Sequence, residues 1–113
     1  MATLYLSANS RHDMKTKFLE ILRDGIGPRY WVKPFQLEMI DSCNSIDVVI
    51  LDKYRKQRAE GAYDSYEPCG WTKHRVPEQR YNIIIKNLRV VDWKSDPKDL
   101  PQNLGRAGVL FEW

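Results

Sequence analysis

Between Lys53 and Arg80 the chain runs for 28 residues with only one aliphatic side chain larger than alanine, Val76. A stretch that poor in aliphatic carbon contributes little to a core, so it reads as a long excursion, a loop or a hairpin, set between core-forming segments. It also holds seven Lys/Arg against four Asp/Glu. That excess of three equals the net charge of the whole 113-residue protein, and the remainder is balanced at eleven against eleven. Tyr54, Tyr63, Tyr66 and Trp71 are interleaved with these cations, the mixture a surface needs to hold phosphates and stack on bases.

A chain of 113 residues has room for one domain, taken here as residues 1–113. With 42% apolar and 29% charged residues it reads as globular and soluble. Its longest strongly apolar runs fall far short of the roughly 20 residues that cross a bilayer, so no membrane partner is expected. The run from Ala2 to Leu6 is too short for a secretory leader and is soon followed by Arg11 and His12, which points to an intracellular protein. Cys43 and Cys69 stand alone, without CxxC spacing or a histidine cluster, and read as free thiols.

Along the chain, TLYLSA from Thr3 alternates apolar and polar residues as a half-buried strand does. A helix is expected next. Ser10 and Asp13 have the spacing of a capping box, Met14, Phe18, Ile21 and Leu22 share a face, and Gly25 suits the left-handed position that ends a helix. The segment from Tyr30 to Ile40 puts Trp31, Phe35, Leu37 and Met39 on one side and reads as an edge strand, with Pro34 lacking a ladder donor. With the apolar run Ile46 to Leu51 it would form a hairpin across the turn-forming DSCNS. Tyr81 to Trp93 is the strongest strand, with three successive isoleucines and a possible bend at Asn87, and Gly108 to Trp113 is a short final strand.

This order predicts an α+β fold: a small antiparallel or mixed sheet of about five strands, one packed N-terminal helix, and a long basic loop or hairpin. An OB-like barrel fits less well, because its helix belongs between the third and fourth strands and here follows the first. An unpaired edge at Tyr30 to Ile40 would permit a homodimer by strand addition, although Lys33 and Pro34 also protect such edges.

The basic segment leads the functional reading. Lys53, Arg55, Lys56 and Arg58 form one cluster, Lys73, His74 and Arg75 a second, and Arg80 closes it. Folded back together they could grip nucleic acid, single-stranded or structured, with Trp71 stacking on a base. The middle of the segment, Tyr63, Asp64, Tyr66 and Glu67, is acidic and aromatic and suits a protein partner better. The alternative function is therefore a protein-binding inhibitor or accessory factor acting through the same residues. Ser7, Asn9, Ser10 and Arg11, between the first strand and the helix, form a possible anion site. Catalytic groups are scarce: no nucleophile and base pair is specified, no cofactor or metal motif is present, and the protein reads as a non-enzyme. A metal-dependent nuclease using Glu38, Asp41, Asp47 and Asp52 ranks third.

Overall fold

The structure is a computed structural model that describes residues 2–8, 17–52, 56–72, 78–93 and 109–112, with the backbone alone for Trp71, Thr72, Glu78 and residues 110–112. The elements are β1 (Ala2–Ser7), α1 (Lys17–Asp24), β2 (Ile26–Tyr30), α2 (Pro34–Asp41), β3 (Ile46–Asp52), β4 (Gln57–Thr72), β5 (Glu78–Val91) and β6 (Val109–Glu112). Six strands form one sheet in the order β2-β5-β4-β3-β1-β6. Only β1 and β3 pair in parallel, so this is a mixed sheet with two helices, an α+β fold.

In β1, Leu4 and Leu6 are buried while Thr3 and Tyr5 are half-exposed, the alternation expected of a strand with one face on the core. Val48 and Ile50 of β3, Ala59 of β4 and Ile83 and Ile85 of β5 join that face. Phe18 and Ile21 of α1 cover it, and Gly25 ends that helix at φ 66, its N–H bonded to Ile21 O at 2.8 Å. The capping residues Ser10 and Asp13 lie outside the described residues.

The segment after Tyr30 departs from the strand expectation. Pro34 occupies the first turn of a helix, where its missing N–H costs nothing, and α2 buries Gln36 and Ile40, four residues apart, leaving Phe35 exposed. The apolar alternation of residues 31–39 fits a strand; Pro34 is tolerated at the helix start, and the burial of Gln36 and Ile40 on one face goes with the helix. β3 therefore pairs with β1 and β4 rather than with residues 30–40, and the edge strand proposed for dimerisation does not exist. Of the two edge strands among the described residues, β2 and β6, β2 is irregular: Arg29 has φ 57 and its N–H bonds to Asn82 Oδ1 at 3.1 Å.

Most of the basic excursion is a hairpin. β4 and β5 pair along almost their whole length, with register shifts between Glu60 and Ala62, Tyr63 and Ser65, and Pro68 and Gly70. Asn87, at φ 56, lies beside the first of these, where the expected bend is found. Such bulges bend and twist a ribbon, and here the sheet curls. Tyr30 of β2 donates its hydroxyl to Ser7 O of β1 at 2.8 Å, and Gln36 Nε2 donates to Val109 O of β6 at 3.1 Å. The two ends of the strand order are thus joined across the core.

The opposite face carries a smaller apolar cluster in which Tyr5 and Trp93 pack on the buried Val49 and Leu51. Val90, near the end of β5, is 61% exposed, although it pairs with the buried Ala59.

Gly61 sits at the first bulge, and an added Cβ would lie 2.8 Å from Ile85 Cγ2 and 3.0 Å from Lys86 O. Gly61→Ala should lower stability by about 1–3 kcal/mol, the usual cost of overpacking, read as a reduced urea midpoint with an unchanged slope. An unchanged midpoint would show that the bulge can move aside.

Candidate binding surfaces

The two basic clusters flank β4 in sequence. Lys53, Arg55 and Lys56 precede β4, and Lys73 and Arg75 follow it, so sixteen residues of strand lie between them. Of the expected contacts, Lys56 is exposed in a left-handed turn position at φ 51. Arg58 is buried, and its Nη2 is 3.1 Å from Glu60 Oε1. A guanidinium so placed is part of the sheet's own packing and is not presented to a phosphate backbone. Arg80 is half-buried opposite Gly70. Trp71 pairs through its backbone with Gln79, while Lys53, Arg55, Lys73 and Arg75 lie outside the described residues.

The acidic, tyrosine-bearing middle is engaged within the molecule. Tyr66 OH donates to Asp41 Oδ2 at 3.2 Å and its ring meets Tyr81 edge-on at 5.5 Å. Glu67 Oε1 accepts from Asn82 Nδ2 at 3.4 Å, and Lys86 Nζ lies 3.9 Å from Asp64 Oδ1. Burial first, then the nearby Tyr66, Asp41 and Asp64, pushes the Tyr63 phenol up to about 12. These contacts account for the residues that had argued for a protein partner.

Ser7 is fully buried and its carbonyl takes the Tyr30 hydroxyl, while Asn9, Ser10 and Arg11 lie outside the described residues. The nuclease carboxylates do not converge. Glu38 and Asp41 are exposed on α2, Asp47 is exposed on β3, and Asp52 is buried at the far end of that strand. Among the described residues no three His, Cys, Asp or Glu could hold a metal ion. Cys43 and Cys69 are free thiols.

A different surface stands out. From Arg29 to Phe35, the exposed residues are Arg29, Trp31 at 41%, Lys33, Pro34 and Phe35 at 56%. The intervening Tyr30 and Val32 are buried. Lys33 Nζ lies 5.3 Å from the Trp31 ring centre and 6.0 Å from that of Phe35, so one cation bridges two exposed aromatics. No carboxylate occurs from Gly25 to Leu37. The signal was present in the sequence as that acid-free, aromatic run, but the strand reading assigned its aromatics to a buried side.

Lys17 begins α1 with its Nζ 4.3 Å over the Tyr30 ring. Burial, aided by the charge of Arg80, brings its ammonium down to about 8, and burial holds the Tyr30 phenol far above its ordinary range.

Compared with known proteins, the chain matches no family model, no curated protein and no solved structure. No described helix is long and apolar enough to cross a membrane.

An unfolded lysine keeps its proton to about 10.5, whereas folded Lys17 releases it near 8. Between those values the unfolded state binds more protons, so this group makes stability rise with pH. Urea unfolding at about pH 7.5, 9 and 10 should therefore show the wild type gaining on Lys17→Met as pH increases. Parallel curves would mean that the ammonium is solvated.

Proposed function

We propose that this is a non-enzymatic protein that binds single-stranded nucleic acid through Arg29, Trp31, Lys33 and Phe35. The observation that carries the reading is the pair of exposed aromatics bridged by Lys33 in a run without carboxylates. Exposed rings stack on bases whatever their identity, and the two cations would meet the phosphates that follow them. β2 is hydrogen-bonded to β5 close to the hairpin tip, since Tyr30 pairs with Tyr81 and Thr72 with Glu78. Lys73 and Arg75 follow directly on β4 in sequence, and with Trp71 and Arg80 they stay in the proposed set of contacts. Arg58 leaves the set of contacts because it is buried with Glu60. A soluble, intracellular protein that needs no cofactor goes with this reading.

Aromatic and arginine side chains are also hot-spot residues at protein interfaces, so an inhibitor or accessory factor is the competing reading. Fluorescence anisotropy with a labelled oligonucleotide tests the proposal. Each stacked base is typically worth ~1–3 kcal/mol, so Trp31→Ala should weaken binding about 5- to 150-fold without lowering the thermal midpoint. Lys33→Glu should weaken it and flatten the dependence of log K on log salt by roughly 0.7. Absence of binding at ~50 mM salt removes the proposal. A stoichiometric protein recovered after nuclease treatment by the wild type and not by Trp31→Ala would replace it with the inhibitor reading.

A further inference from the structure

A cleft of about 250 Å³ opens on the sheet face turned away from the main core. It shares no residue with the Arg29 to Phe35 stripe. Its walls include Tyr5 of β1, Asp47 of β3, Arg58 and Glu60 of β4 and Arg89 of β5. The pairings Tyr5 with Val49, Val49 with Glu60 and Glu60 with Arg89 place Tyr5, Val49, Glu60 and Arg89 in one row across four strands, with Asp47 and Arg58 two residues along their strands on either side of it. Its floor is Val49 and the backbone around Gly61, where the register shift between Glu60 and Ala62 interrupts the ladder. A bulge removes one side chain from the regular alternation, and a depression results.

The charges in this cleft are arranged asymmetrically. Arg89 stands directly across from Glu60, yet the Glu60 carboxylate lies on Arg58 at 3.1 Å. Arg89 and Asp47 are both exposed, and among the described residues neither forms an ion pair. They stand two strands apart, a lateral spacing of roughly 10 Å between backbones, and are offset along the strands because Asp47 pairs with Ala62 and Arg89 with Glu60. The cleft therefore presents one cation and one anion diagonally across a small floor, with an ion pair in its wall. A phosphate on Arg89 would leave Asp47 without a cation, and an apolar ligand would leave both charges desolvated without partners. The volume is below the roughly 300–1,000 Å³ of sites for drug-sized ligands.

We propose that this cleft binds a small zwitterion of the amino-acid type, its carboxylate on Arg89 and its ammonium on Asp47. Arg89 supplies the planar fork that matches a carboxylate, and Asp47 accepts from the ammonium. The Arg58–Glu60 pair keeps Glu60 from closing over Arg89, and Tyr5 bounds the far side of the floor.

Chemical-shift titration of the full chain with glycine, β-alanine, γ-aminobutyrate and glycylglycine, against acetate and methylammonium, decides the matter. At least one zwitterion should produce saturable shifts centred on the amides of Tyr5, Asp47, Gly61 and Arg89. Its affinity should exceed that of either single-charge probe by about tenfold or more, because two charge contacts act together. Arg89→Gln and Asp47→Asn should each lower it by about tenfold with the rest of the spectrum unchanged. Both positions are exposed, so folding is expected to survive both changes. Shifts equal to those from acetate, shifts that persist in both variants, or no saturable shift at ~10 mM would overturn the proposal. Oligonucleotide binding is measured separately and stands or falls independently.

Discussion

The bent β4–β5 hairpin is the constraint on which the rest of the structure depends. Two flat strands of sixteen and fourteen residues would carry their outer halves away from a core that a chain of this size can barely fill. The three register shifts let the ribbon curve, so that Tyr63, Tyr66, Ile83 and Ile85 return to the cluster formed by Leu4, Leu6, Val48 and Ile50. Curvature also brings β2, carried on the outer half of β5, back towards β1 and β6. The bonds from Tyr30 to Ser7 and from Gln36 to Val109 are consequences of that curvature and also fix it. Gln36 does this with both ends of its amide, since its Oε1 accepts from the Lys33 N–H at 3.0 Å.

Elements with a single compatible period were legible in the sequence. β1, β5 and β6 lie where alternation and turn chemistry put them. The segment from Pro34 to Asp41 was not legible in the same way. Phe35, Leu37 and Met39 alternate as in a strand, and the deciding fact is tertiary: Gln36 and Ile40 have core and β6 partners only when the segment is helical. β4 was illegible for the opposite reason. Its residues are polar, and it is held by pairing with β3 on one side and β5 on the other, a stabilisation that side-chain composition does not record.

The candidate sites follow the same logic. Net charge located a cationic segment, but charge counting cannot separate an arginine that faces solvent from one that lies under its neighbours. Arg58 alternates onto the face of Leu51 and Val91 and is covered there, while Arg89, two strands from Asp47 on the same face, is not. Cross-strand register, which no local pattern specifies, decides which cation is available. For the same reason the acidic centre of the hairpin, suggestive of a partner in sequence, is occupied in the fold by Asp41, Asn82 and Lys86.

The stripe from Arg29 to Phe35 gains its value from the positions between its members. Tyr30 and Val32 are buried and Gln36 is bonded at both ends, so the backbone that carries Trp31 and Lys33 is anchored on either side. Aromatic rings displayed from an anchored segment lose little further freedom when they stack, and the ordering cost that weakens flexible binding arms is largely met by folding. A loop bearing the same four residues would have to supply that cost from the contact itself. The segment that closes the curled sheet is thus also the one that displays two exposed rings on an anchored backbone.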